Sequence, residues 1–92
     1  MANYHYCVLE RQKGNYNNAL SFIDKYLEFW KNKGNNDAMA NGLYQKAIIL
    51  DDKGSFNESL KIYYEIIKIY EQSSDTFGVA TSLNAIGEVL KK

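Results

Sequence analysis

The stretch GSFNESLKIYYEIIKIYEQ, residues 54–72, decides the fold. Its centre is rich in Ile and Tyr, which is the composition of a β-strand. Its polar residues instead recur at steps of three and four, and at about 100° per residue they fall in one stripe roughly 80° wide. These residues are Glu58, Lys61, Glu65, Lys68 and Gln72. The apolar residues cover an arc of roughly 220°. The stretch is therefore predicted to be an α-helix that is buried on more than half of its circumference and has neighbours on two sides.

Length and composition predict one small folded domain. The 92 residues are 46% hydrophobic and 14% aromatic, which favours a folded chain over a disordered one. Eleven basic and eleven acidic residues cancel, so no general attraction to nucleic acid or to an anionic membrane is expected. No apolar run reaches the roughly 18 residues of a membrane-spanning helix, and the N-terminus does not resemble a signal peptide. Cys7 is the single cysteine, which favours a reducing, cytoplasmic setting.

Four further helices are predicted around the central one. Their expected ranges are 2–12, 16–32, 38–52 and 76–91, with breaks at Gly14, Gly34 and Gly54 and at 73–75. Asn36 or Asp37 is expected to cap the third helix, and Ser55 with Glu58 to form a capping box for the fourth. The predicted fold class is all-α with five helices.

The sequence repeats with a period of 40 residues, since Gly54 and Gly14 differ by 54 − 14 = 40. Identical pairs at this shift are Tyr4/Tyr44, Lys13/Lys53, Gly14/Gly54, Asn17/Asn57, Leu20/Leu60, Ala40/Ala80, Leu43/Leu83 and Leu50/Leu90. Small residues recur in the columns Cys7/Ala47/Gly87 and Ala19/Ser59. Such a period predicts a stack of antiparallel helical hairpins. The expected units are about 1–36, about 37–75 and a half repeat at 76–92.

These features resemble the tetratricopeptide repeat family. The matching pieces are the turns G-N-Y at 14–16 and G-S-F at 54–56, the small residues Ala19, Ala47 and Ser59, and the aromatic Tyr63. The resemblance covers essentially the whole chain, as two repeats and the first helix of a third, and implies an α-solenoid. The segment 75–90 is similar to the long-helix variety found in bacterial signalling proteins and in some eukaryotic cargo and polarity adaptors.

The chain departs from that family at several positions. Its period of 40 residues exceeds the family's common 34. Leu43 and Leu83 stand where the family often has Trp, and Lys46 occupies a column that is usually apolar. The proline that often closes a repeat is missing.

The resemblance implies a binding groove on the concave face, which the first helix of each repeat lines. The predicted groove residues are Tyr4, Val8, Arg11 and Gln12, then Asn41, Tyr44, Ile48, Asp51 and Asp52, then Thr81, Asn84, Glu88 and Lys91. Partly apolar side chains among amides suit an extended peptide or a helix. The alternative interpretation is that Tyr44 and Ile48 only pack on neighbouring helices. The columns with which some relatives grip a C-terminal carboxylate hold Tyr4, Val8 and Gln45, so that clamp is not expected.

No catalytic, cofactor or metal site is expected. His5 and Cys7 point roughly 200° apart on a helix, and Asp51 and Asp52 have no histidine near them in sequence. Phosphate loops and dinucleotide fingerprints are missing. The prediction is a non-enzymatic module that binds a protein or peptide partner, within a larger signalling or regulatory protein. The alternatives are a structural oligomerisation or spacer unit and a small-molecule sensor.

The fifth helix is predicted to expose an apolar row. The row contains Val79, Leu83, Ile86, Val89 and Leu90. In a full repeat, a partner helix would cover part of this surface. The row therefore predicts either a fragment of a longer protein or a unit that forms a homodimer through its last helix.

Overall fold

Five α-helices make up the described part of the chain. The computed structural model describes residues 2–72 and 76–91, and the side chains of 5–72 and 78–91. The helices are α1 (Ala2–Gln12), α2 (Tyr16–Lys33), α3 (Asn36–Lys53), α4 (Phe56–Gln72) and α5 (Thr76–Leu90). No β-strand occurs in the described ranges, so the prediction of an all-helical chain is confirmed. The segment IYYEIIKIY, whose composition is that of a strand, is helical as well. The expected turn and cap at 73–75 lie outside the described residues.

Glycine ends the first three helices in the left-handed conformation. Gly14, Gly34 and Gly54 have φ values of 83°, 69° and 93°, a region that costs glycine no steric strain. At the end of α1, Gly14 N–H donates to Arg11 O (3.0 Å) and Asn15 N–H to Glu10 O (2.9 Å). At the end of α3, Gly54 N–H donates to Asp51 O (3.0 Å) and Ser55 N–H to Leu50 O (2.8 Å). Each donor and acceptor at the second site lies 40 positions after its counterpart, so the period is visible in the hydrogen bonding.

The helix caps differ from those predicted. Asn35 caps α3, and its Oδ1 accepts a hydrogen bond of 3.0 Å from the Ala38 N–H. Asn36 and Asp37 already lie inside the helix. The capping box expected from Ser55 and Glu58 is also wrong, because no side-chain hydrogen bond among the described residues joins the two. The carbonyl of Ser55 does accept the Ser59 N–H at 3.1 Å, which begins the helical ladder.

Consecutive helices pack against one another, and α1 also contacts α3. The α2–α3 pair is antiparallel, because Lys53 contacts Asn17 whereas Lys46 contacts Asp24. At Gly42 the approach is very close: a Cβ built there would lie 2.6 Å from Leu27 Cδ2. A larger residue at this position would force the side chains of Leu27 and Tyr26 to move.

The core consists of two clusters of buried side chains. The first contains Cys7, Ala19, Ile23, Tyr26, Ala38 and Ile49 from α1, α2 and α3. The second contains Leu27, Ala40, Leu43, Ala47, Tyr63, Ile66, Ile86 and Val89 from α2 to α5. The molecule measures 35 × 34 × 17 Å, so its short dimension fits about two helices.

Some burial predictions are wrong. Tyr6 and Leu9, predicted as buried residues of the first helix, are exposed, and so are Phe56 and Tyr64, which belong to the predicted apolar arc of α4. The apolar arc of α4 is therefore narrower than predicted. Its five predicted polar positions are all exposed, so the orientation of α4 is confirmed.

Candidate interaction surface

An ion pair links the C-terminal ends of α1 and α3. Arg11 Nη1 lies 3.5 Å from Asp52 Oδ2, and both side chains are partly exposed, at 26% and 36%. Arg11 and Asp52 are both predicted groove residues, and the structure brings them together. Because each lies in the last turn of its helix, the pair places the two helix ends side by side.

Two partly exposed aliphatic side chains occupy equivalent positions on these helices. Val8 on α1 and Ile48 on α3 differ by 40 residues, and each is neither buried nor fully exposed. Asn41 lies two turns before Ile48 and is exposed. The surface thus combines aliphatic contact area with an amide.

Two buried polar atoms on the same helices have no hydrogen-bond partner among the described residues. They are Arg11 Nε, a donor, and Gln45 Oε1, an acceptor. Gln45 follows Asn41 by one turn of α3, so the two side chains share a face. An unpaired buried polar group carries a desolvation cost that a hydrogen bond would relieve. Both atoms are enclosed by the protein, and the spacing of residues in the sequence does not reveal whether the polar atoms of a side chain are paired.

Tyr44 packs into the structure more than the groove prediction implied. Its ring centroid lies 5.9 Å from that of Tyr63, with an interplanar angle of 73°, and the side chain is partly buried. Such an edge-to-face pair stabilises the contact between α3 and α4. Tyr44 therefore has a packing role, which was one of the two interpretations of its position.

The phenol of Tyr63 is held in its neutral form. Burial, together with the charges of Tyr44, Asp51 and Asp52, raises its pKa to about 12. Tyr63 is nearly inaccessible to solvent, so it acts as core rather than as a contact residue. The acidic end of α3 lies close enough to influence it electrostatically.

The thiol of Cys7 is also kept neutral. Burial outweighs the opposing charge of Arg11 and raises its pKa to about 11. Since the thiolate is the reactive form, this cysteine is suited to packing. Its full burial agrees with its position in the small-residue column.

The remaining predicted groove residues are less connected. Asn84 and Glu88 are exposed on α5, and Glu88 pairs with Lys91 at 3.6 Å. α5 packs against α4, and the assignment of Asn84 and Glu88 to the groove rests on the repeat alone. The side chain of Tyr4 lies outside the described part of the structure.

A polar recess of about 320 Å³ lies away from the predicted groove. It is formed by 14–18 at the start of α2 and by Lys53. Lys53 Nζ donates to Asn17 Oδ1 at 3.2 Å, so its ammonium group is already engaged. The polar run G-N-Y-N-N at 14–18 could have indicated this recess.

Two further findings bound the chemistry. Within 2–72 and 76–91 no three His, Cys, Asp or Glu residues are arranged to hold a metal ion. The described helices include none with the length and apolarity to cross a bilayer.

Comparison with models of protein families, with curated proteins and with solved structures finds no match to this chain.

Proposed function

We propose that the protein is a helical-repeat interaction module that binds a peptide segment along the α1–α3 surface. The observation that carries the proposal is the pairing of half-exposed aliphatic side chains with an exposed amide on the same surface. Val8 and Ile48 offer apolar contact, and the side chain of Asn41 offers a donor and an acceptor. A peptide backbone presents the complementary carbonyl and N–H groups.

The proposed architecture is a tetratricopeptide-like solenoid. Its support is the recurrence, 40 positions apart, of the helix-ending hydrogen bonds and of buried small residues such as Cys7 and Ala47. The ion pair between Arg11 and Asp52 fits two first helices lying side by side in such a stack. In this architecture α1, α3 and α5 line one face, which is where the groove is placed.

The groove can be tested by selecting binders from a displayed library of random peptides against the full chain. We expect enriched peptides that bind the chain saturably in fluorescence anisotropy. The double variant Val8→Asp, Ile48→Asp should weaken binding at least about tenfold, because it places charges against the apolar part of the peptide. Asn41→Ala should weaken binding by a smaller factor, about fivefold, through loss of one hydrogen bond.

The matched control is Tyr64→Ser, which changes an exposed aromatic residue of α4. It should leave both binding and thermal melting unchanged. If no peptide is enriched, or if enriched peptides bind the double variant and the wild type equally, the groove proposal is wrong.

A second candidate function is a structural oligomerisation unit. The observation that favours it is the exposure of Leu83 and Leu90 on α5. Concentration-dependent mass measured by light scattering distinguishes the two functions. Loss of self-association in Leu83→Glu, Leu90→Glu would support oligomerisation, whereas a monomer at all concentrations would exclude it.

A further inference from the structure

Helix α5 carries two apolar stripes that face different surroundings. Gly78, Ser82, Ile86 and Val89 form the first stripe, and all four are buried. This stripe packs on α4, since Ile86 and Val89 share a cluster with Tyr63 and Ile66. The second is called the open stripe here and consists of Ala80, Leu83, Gly87 and Leu90. Leu83 is 54% exposed and Leu90 is 67% exposed, so no described residue covers it.

The same stripe occurs on α3, where it is covered. Its residues are Ala40, Leu43, Ala47 and Leu50, each 40 positions before a member of the open stripe, and none is more than 8% exposed. Helix α4 supplies the cover: Tyr63 and Ile66 join Ala40, Leu43 and Ala47 in one cluster. Ser59 Oγ also donates a hydrogen bond of 2.9 Å to the carbonyl of Ala47. Three of the four residues are identical in the two stripes.

Gly87 has no packing role among the described residues. A Cβ built there meets nothing within 4 Å. By contrast, a Cβ at Gly78 would lie 2.5 Å from the ring of Tyr70. At the equivalent position on α3, the small side chain of Ala47 lets α4 approach closely enough for the bond from Ser59. The open stripe therefore has the same arrangement of small and large residues as the stripe on α3, which a helix covers.

Because the open stripe is equivalent to the stripe of α3 that α4 covers, we propose that it binds an amphipathic helix of another protein. This helix packs on α5 as α4 packs on α3. The partner helix carries a small hydroxyl residue opposite Gly87, an aromatic residue four positions later and a β-branched residue three positions after that. These are the spacings of Ser59, Tyr63 and Ile66. The hydroxyl would donate to the carbonyl of Gly87. This surface differs from the groove face of α5, which carries Asn84 and Glu88.

The chain itself offers no free helix of this pattern in its described part. The pattern occurs in α4, and the equivalent positions of α2, 40 residues earlier, hold Ala19, Ile23 and Tyr26. Both sets are already buried within the chain. Pairing of two open stripes would contribute four residues a side, whereas a stable dimer interface takes about 20 to 30. A second open stripe also holds no hydroxyl residue that could donate to Gly87, which favours a partner helix with the pattern of α4 over a second copy.

The test uses the full chain and a labelled synthetic peptide with the sequence of residues 55–72, measured by fluorescence anisotropy. This peptide is the probe because α4 covers a nearly identical stripe. We expect saturable binding that Gly87→Leu weakens at least about tenfold, since the new side chain fills the approach of the helix. Gly87→Leu meets no neighbour within 4 Å, so the variant should fold, which circular dichroism and melting check. The matched control Ser21→Leu adds the same side chain on an exposed site of α2 and should bind as the wild type does.

Two peptide variants sharpen the result. Tyr63→Ala in the peptide removes a contact residue and should weaken binding at least about tenfold, whereas Tyr64→Ala removes an outward-facing residue and should change it less than about twofold. Absence of saturable binding up to about 1 mM peptide, or equal binding to the wild type and to Gly87→Leu, overturns the proposal. A dimer of the chain alone that Gly87→Leu abolishes overturns it as well, because the occupant is then a second copy. The peptide-library selection on the α1–α3 surface is independent of each of these outcomes.

Discussion

The stripes on α3 and α5 carry almost the same side chains in opposite environments. Leu50 is 4% exposed and Leu90 is 67% exposed, although both occupy the same column of the repeat. The difference lies in the next helix: α4 covers the stripe on α3, and no described element covers that on α5. The comparison shows that sequence pattern sets which face of a helix can be buried, while the neighbouring element determines whether it is. Four sets of substitutions test this comparison, in decreasing order of expected effect.

Truncation of the matched leucines should separate the two stripes most strongly. Leu50→Ala should reduce the free energy of unfolding by about 2–5 kcal/mol, because it leaves a cavity in a packed interface. Leu90→Ala should change it by less than about 0.5 kcal/mol, because that side chain is already in solvent. Urea denaturation of both variants measures the difference. Similar costs for the two would show that the open stripe is covered in solution.

Replacing the equivalent small residues Ala47 and Gly87 by leucine should change the free energy of unfolding in opposite directions. Ala47→Leu should lower the free energy of unfolding by about 1–3 kcal/mol, because the added atoms force α4 away from α3. Gly87→Leu should raise it by about 0.5–1 kcal/mol, because leucine favours a helix and glycine does not. Thermal melting of the pair checks both signs. A destabilised Gly87→Leu would reveal a contact on the open stripe.

The first member of that column, Cys7, should make stability depend on pH. Burial raises the pKa of its thiol from 9.0 to about 11, so the folded state favours the protonated form. The buried thiol contributes fully to the free energy of unfolding below pH 9. This contribution is lost as the pH rises towards 11, and the loss amounts to about 1 kcal/mol at pH 10. The free energy of unfolding should therefore fall more between pH 8 and 10 in the wild type than in Cys7→Ala. Equal slopes would contradict the buried thiol.

The smallest effect is expected for an ion pair of α3 whose equivalent position on α5 holds an apolar residue. Lys46 on α3 pairs with Asp24 at 2.9 Å, whereas the equivalent residue of α5, Ile86, is buried against α4. Asp24 is more than half exposed, so Asp24→Asn should cost only about 0.2–1 kcal/mol. A double-mutant cycle with Lys46→Gln measures the coupling, which should shrink as salt is added. A coupling that is insensitive to salt would indicate a more buried pair.

The helices and their register could be predicted from the sequence because they depend on local periodicity and on glycine. Gly14, Gly34 and Gly54 mark helix ends in both the sequence and the structure. The exposure of Tyr64 could not be predicted, since an aromatic residue between two apolar stripes of a helix satisfies either environment. Asn35 was missed as a cap because three adjacent Asn and Asp residues can each fill that position. The pairing of Lys46 with Asp24 depends on the register between two helices, which periodicity within one helix does not encode.

The candidate groove was predictable only as a set of columns. The repeat placed Val8 and Ile48 at equivalent positions, and the structure finds both partly exposed. The repeat could not indicate that Tyr44 packs edge-to-face on Tyr63, because that contact joins residues of different helices. The unpaired atoms of Arg11 and Gln45 likewise require a complete set of distances.

The left-handed glycines also make the chain a favourable subject for chemical synthesis with mirror-image residues. Gly14, Gly34 and Gly54 have φ values between 69° and 93°, which suit a D-amino acid. D-alanine at each site would keep the helix end while restricting the unfolded chain, with a gain of about 0.4–1 kcal/mol per site. L-alanine at the same sites would instead strain the backbone, so the two enantiomers should shift the melting temperature in opposite directions.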